Sequence, residues 1–229
     1  MDLDKIDALQ NKLAKKLIIP KDGEGLRLKK GDAVFSIDVQ YDGEEGYVAV
    51  DYLKWGEGHQ DIFALHEYVA EEYIPGYFAF REGPLLMRAI ERVKEYADIS
   101  PALVIVDGHG LAHPRKFGVA CWLGLEMNIP TLGCAKEPLV RYEGELAETV
   151  GSKVPVLVQG DLVGYALRTA QSVKPVFVSP GHLISMQEAE RVILTLGGGY
   201  RVIEPIRRAD RAARAYAKGY HSIPMTYID

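Results

Sequence analysis

The stretch Ala102-Leu103-Val104-Ile105-Val106-Asp107-Gly108-His109-Gly110-Leu111-Ala112-His113-Pro114 decides the reading of this chain. Five aliphatic residues end on a carboxylate, and a glycine-rich turn holding two histidines follows. An apolar run of this length, bounded by glycine, reads as a strand buried on both faces. The crevice beyond the carboxyl ends of such strands is where open α/β sheets bind ligands. A plain Asp-Gly turn is the alternative, but a turn needs neither the two imidazoles nor glycines dense enough for another backbone or a phosphate to come close.

Working outward, strand and helix signals alternate. Leu3, Ile6, Leu9, Leu13 and Leu17 keep helical spacing and predict an amphipathic helix over 2–18, stopped by Pro20 and Gly23. Strands read at 33–41 and 46–54, with Asp42-Gly43 and Gly46 marking a hairpin, and a third strand lies within 60–70. Tyr73-Ile74-Pro75-Gly76 is a rigid turn. Pro84 is expected as the first residue of a helix to about Ala97, with Leu85, Leu86, Ala89, Ile90 and Val93 facing inward. His113-Pro114 is expected to start a helix to about Asn128, and Pro130 to Ala135 a short strand ending at Lys136. Strands follow near 154–159, 163–169 and 174–178, then a helix from Ser185 with capping-box spacing to Glu188, and a last helix opened by Pro205. A hairpin followed by strand–helix–strand crossovers predicts an α/β fold with a mixed sheet and helices packed on it.

The chain has 229 residues, 48% hydrophobic and 26% charged, which suits one globular domain over 1–229. No apolar run approaches the roughly 20 residues that span a bilayer, and the N-terminus lacks a secretory pattern, so a cytoplasmic protein with no membrane partner is expected. Cys121 and Cys134 have no C-x-x-C spacing and read as reduced, buried thiols. With 27 Lys and Arg against 32 Asp and Glu the formal charge is −5. Yet Arg207, Arg211, Arg214 and Lys218 recur at helical spacing beside Arg208 as a cationic stripe, or else as an ordinary solvated face.

Three further segments carry chemistry. Asp38 interrupts the apolar pattern of Val34-Phe35-Ser36-Ile37-Asp38-Val39, and a carboxylate in a core strand needs a metal, a cation or strong hydrogen bonds unless it turns to solvent. Glu82 is expected at a helix entrance, where a carboxylate also suits the dipole. His182 is expected in a loop after a strand. Hydrolysis of a phosphodiester needs a water-derived nucleophile and charge neutralisation, which Mg²⁺ or Mn²⁺ on carboxylates supplies. Asp38, Glu82 and Asp107 form such a set, His113 sits where it can position or deprotonate water, and Lys136 where it can meet a phosphate or be a surface lysine.

The chain resembles the endonuclease V family. The matching blocks are the Asp38 strand, Tyr73-Ile74-Pro75-Gly76, Phe80-Arg81-Glu82-Gly83-Pro84, Val106-Asp107-Gly108-His109-Gly110, His113-Pro114-Arg115, Pro130-Thr131-Leu132-Gly133 with Ala135-Lys136, Val178-Ser179-Pro180-Gly181-His182, and Glu204-Pro205-Ile206-Arg207 with Ala209-Asp210. The resemblance implies a ribonuclease-H-like fold and metal-dependent cleavage of the second phosphodiester 3′ to inosine in DNA, RNA or both, leaving a 3′-hydroxyl and a 5′-phosphate. It implies Asp38, Glu82 and Asp107 as the metal set, His113, Lys136 and His182 as supporting residues, Tyr73, Ile74, Pro75 and Gly76 as the wedge region, and Gly108, His109 and Gly110 as part of the pocket for the displaced base. A monomer is expected. Where the family commonly has a proline before the wedge, this chain has Glu71 and Glu72, and 55–71, with His59 and His66, receives no role. A small-ester metallophosphoesterase, suggested by Asp107-x-His109, and a non-cleaving binder of deaminated nucleic acid are the competing readings.

Overall fold

β1 (Ala33–Asp42), β2 (Glu45–Lys54) and β3 (Gly58–Tyr68) form an antiparallel meander in the computed structural model, which describes residues 3–69, 78–220 and 223–228. The first hairpin closes at Asp42↔Glu45, where Gly43 takes a φ of +61° that other residues avoid. β4 (Leu103–Val106) and β5 (Thr131–Ala135) lie parallel to β1, and β6 (Lys153–Val158), β7 (Asp161–Leu167) and β8 (Val176–His182) extend the sheet antiparallel beyond β5. With β9 (Thr226–Tyr227) the order is β6-β7-β8-β5-β4-β1-β2-β3-β9, a mixed sheet.

The period of two in the central strands separates two helical layers. Phe35, Ile37, Val104 and Val106 face α2 (Phe78–Ala97) and α3 (Val119–Met127), while Val34, Leu103, Ile105 and Leu132 face α4 (Met186–Thr195) and the start of α5 (Glu204–Ala217). α1 (Leu3–Ala14) lies on the first layer, where Gln10 Nε2 donates to Phe117 O at 3.3 Å. No helix among the described residues is long and apolar enough to cross a membrane. Both cysteines are buried and free, and burial raises the Cys121 thiol to about 12.

Several boundaries and one cap differ from expectation. α2 begins at Phe78, so Pro84 and Glu82 lie inside it. The missing amide costs about 3 kcal/mol in a helix interior, but burial of Ala79, Glu82 and Gly83 before Pro84 and of Leu85, Leu86, Ala89, Ile90 and Val93 after it holds both halves on the core. α3 begins only at Val119, because His113 N→Leu111 O (2.7 Å), Lys116 N→His113 O (2.8 Å) and a left-handed Lys116 (φ +52°) make turns of the preceding residues. β8 continues through Pro180 to His182, and the register shift at Thr131/Leu132 accommodates a residue that has no amide to donate. Ser185 caps α4 by accepting from Glu188 N at 3.1 Å, yet Glu188 binds Leu28 N and Arg191, so only half of the expected box forms. The turn expected at Tyr73-Ile74-Pro75-Gly76, with Glu71 and Glu72, lies outside the described residues.

Candidate active site

Asp38 faces the α5 layer because its neighbours Ile37 and Val39 face the other one. β1 and β4 are parallel and Ile37 pairs with Val106, so Asp107, whose amide donates to Ile37 O at 3.1 Å, comes beside Asp38. α5 brings a third carboxylate. Asp38, Asp107 and Asp210 each offer an oxygen within 4.8 Å of the others. A side chain as short as aspartate reaches the strand only if the helix lies close, and Ala209, Ala212 and Ala213 pack directly on Ala49 and Ile62. On the helix's other flank Arg208 grips the fully buried Asp51 through two bonds of 2.6 and 2.9 Å, with His59 Nδ1 3.1 Å from the same carboxylate.

β5 runs parallel to β4 and delivers Lys136, whose Nζ lies 2.6 Å from Asp107 and 3.7 Å from Asp210. Arg214 reaches Asp210 at 3.0 Å. The cations do not balance the acids. Burial, then Asp107, pushes Asp38 up to about 8. Burial, then Asp38 and Asp107, holds Glu82 well above the carboxylate range, so α2 points this residue at the cluster from the opposite layer. Asp107 is raised by burial despite Lys136, and Lys136 is raised because Asp107, Asp38 and Asp210 outweigh its own burial. Asp38 Oδ2 and Glu82 Oε2 are buried without a hydrogen-bond partner. Orphaned carboxylate oxygens beside a three-aspartate cluster fit a divalent cation with oxygen ligands.

The glycine-rich turn is explained by close packing of the chain on itself. A Cβ on Gly110 would stand 2.1 Å from Pro180 O, one on Gly118 2.2 Å from His109 O, and one on Gly133 2.5 Å from Gly108 O. His109 Nε2 lies 2.9 Å from Glu137 O and must be its protonated nitrogen, which leaves Nδ1 a buried acceptor without a partner. Burial lowers His109 to about 4, so it is neutral near pH 7. His113 is buried in the same loop with Nδ1 accepting from Arg115 N at 3.2 Å.

One site expectation is corrected, and one open alternative is settled. His182 pairs with Thr131 at the start of β5, whereas Lys136 follows its end, so His182 stands at the opposite end of the sheet from the carboxylates. There its Nδ1 accepts from Ile18 N at 3.2 Å, a packing role. The cationic stripe is largely neutralised, because Arg207 and Arg211 pair with Glu204, Arg214 with Asp210 and Arg208 with Asp51. In the sequence Asp210 stands only within the Ala209-Asp210 block of the family resemblance. The usable signal was an aspartate bordering the small inward face Ala209, Ala212, Ala213 of a helix otherwise rich in arginine.

Carboxylates from the first central strand, the end of the second and the last helix gather at the carboxyl edge of this mixed sheet, which has a ribonuclease-H-like fold. The sequence matches the Endonuclease V family over residues 11–211. It is 49% identical to an endonuclease V of Geotalea uraniireducens over 62% of this chain and 58% of that one, so the match spans under two thirds of the relative. The crystal structure of an endonuclease V from Streptomyces avermitilis is 35% identical, with a TM-score of 0.82 over 94% of this chain and 93% of that chain. A Ciona intestinalis endonuclease V, solved with a 24mer DNA containing an inosine followed by a ribo-adenosine, shares the fold at 24% identity, TM-score 0.81, over 95% and 98% of the two chains. The chain belongs to the endonuclease V family.

Proposed function

We propose that this protein is a metal-dependent endonuclease that hydrolyses the second phosphodiester 3′ to inosine in a DNA or RNA strand, leaving a 3′-hydroxyl and a 5′-phosphate. It acts in repair of deaminated bases, as a single catalytic domain over 1–229, monomeric and cytoplasmic. The observation that carries the reading is the crowded carboxylate cluster with orphaned oxygens on Asp38 and Glu82. The inosine-containing DNA held by the Ciona relative supports the substrate.

Asp38, Asp107 and Asp210, with Glu82 behind them, would hold Mg²⁺, for which Mn²⁺ substitutes. When bound, the cation supplies charge neutralisation for the phosphoryl oxygens and a water of lowered pKa. Lys136 stays protonated beside Asp107 and meets the non-bridging oxygens of the substrate. His113 orients water or hands a proton to the leaving oxygen, its ring held by the Arg115 amide. Gly108, His109 and Gly110 form one wall of the pocket for the displaced base, and Tyr73, Ile74, Pro75 and Gly76 form the wedge that fills the gap. The competing phosphoesterase reading loses its support, since His109 is turned to Glu137 O and lies outside the aspartate cluster.

Matched DNA and RNA oligonucleotides, single-stranded and duplex, with and without one inosine, test this in Mg²⁺ and in EDTA. Scission one nucleotide beyond inosine is expected in Mg²⁺ and none in EDTA, and Asp38→Ala and Asp107→Ala should abolish it in folded protein. Cutting indifferent to inosine, or unaffected by either substitution, would sink the reading.

A further inference from the structure

A cleft of about 280 Å³ adjoins the carboxylate cluster and shares two of its residues, Lys136 and Asp210. Its other lining residues are Tyr200, Arg201, Val202, Ile206 and Arg207. The Arg207 guanidinium lies 3.5 Å above the Tyr200 ring, whose side chain is otherwise open to solvent at 51% exposure. An exposed tyrosine that forms no part of a core normally has no fixed position, but this loop is held. Thr169 Oγ1 donates to the backbone carbonyls of Tyr200 (3.2 Å) and Arg201 (2.5 Å), and Arg201 Nε donates to Pro175 O at 3.1 Å. Arg201 also binds the Lys136 carbonyl, so the loop and the lysine beside the aspartates are tied together.

The position of the cleft gives it a direction. The glycine turn at 108–110 packs on Val119 of the α2/α3 layer and on Pro180 of β8, whereas Val202 and Ile206 belong to the α4/α5 layer. The aspartates and Lys136 stand at the sheet edge between them. A strand whose inosine enters the turn and whose scissile phosphate meets the aspartates must continue, in the 3′ direction, onto the opposite layer. There an aromatic face with a stacked guanidinium suits a nucleobase, and stacking of this kind tolerates any base.

We propose that Tyr200, backed by Arg207, is the binding platform for the nucleotide immediately 3′ to the cut, the one that leaves with the 5′-phosphate. This deepens the endonuclease reading and rests on it. Tyr200 contributes binding energy that is the same before and during the reaction; it takes no part in proton transfer.

The test compares wild type, Tyr200→Ala and Tyr200→Phe on two inosine strands, one normal and one carrying an abasic analogue at the first nucleotide beyond the cut. On the normal strand Tyr200→Ala should raise KM about tenfold with kcat within about twofold, and Tyr200→Phe should behave as wild type. On the abasic strand wild type and Tyr200→Ala should converge, because the base that distinguishes them is gone. Equal KM for wild type and Tyr200→Ala on the normal strand, or the same ratio on both strands, overturns the platform while the endonuclease stands. Failure of wild type to cut the normal strand overturns both.

Discussion

Asp38 sets a strand's demand for apolar packing against a carboxylate's demand for solvent, and the conflict shows in its proton affinity. Its folded pKa of about 8 lies above the ordinary 3.8, so between these values the folded protein keeps a proton that the unfolded chain has released. Stability from this group is fully present below the lower value and is lost as pH rises through the upper one. Glu82 has the same sign. His109 has the opposite sign, since its fall from 6.5 to about 4 makes stability grow as pH rises across that interval. The two effects oppose each other below pH 6.5, and the carboxylates act alone above it. The melting temperature of metal-free protein should therefore fall between about pH 6.5 and pH 8, and both Mg²⁺ and Asp38→Asn should flatten that limb. A melting temperature that rises across this interval without metal would contradict the electrostatics described for the cluster.

At the scale of elements, α5 positions Asp210 through its small residues. Ala209, Ala212 and Ala213 let the helix approach Ala49, the Arg208–Asp51 pair holds one flank, and Asp210 meets Asp38 on the other. Ala213→Leu adds a side chain where the seam has no room. We expect a loss of about 1–3 kcal/mol by thermal or denaturant unfolding, together with at least about a tenfold loss of cleavage because Asp210 is lifted from the cluster. Cleavage at the wild-type rate in a destabilised Ala213→Leu protein would separate the seam from the site. Here the sequence pattern was informative about the helix and misleading about its face. The arginine spacing marks a charged face, while the residue that joins the cluster is an aspartate at the margin of the alanines.

Across the whole molecule, strand direction divides the sheet into a working end and a packing end. β1, β4 and β5 all run toward the aspartates and Lys136, and antiparallel β8 runs away from them, carrying His182 to the far edge. Burial lowers the pKa of His182, and its Nδ1 satisfies the Ile18 amide. His182→Ala should then cost about 0.5–1.5 kcal/mol in stability, as expected for the loss of one part-buried hydrogen bond, and leave kcat within about twofold under conditions where the protein is folded. A selective collapse of kcat with stability unchanged would return His182 to the active site.

Local pattern determined much of this protein before any contact was known. The aliphatic run at 102–106, the period of two around Asp38, the hairpin at Asp42-Gly43 and the inward face of Leu85, Leu86, Ala89, Ile90 and Val93 are set by propensity and burial within a few residues, and all appear in the fold. The pairing of Asp38 with Asp107 was legible for the same reason, since both interrupt or end central strands. Tertiary structure alone decided that Asp210 joins them, that Glu82 faces the cluster from inside α2 and not from its entrance, and that His182 stands apart. Each of those outcomes depends on how a helix crosses the sheet or which way a distant strand runs, and such long-range relations arise from packing of whole surfaces that no local spacing encodes.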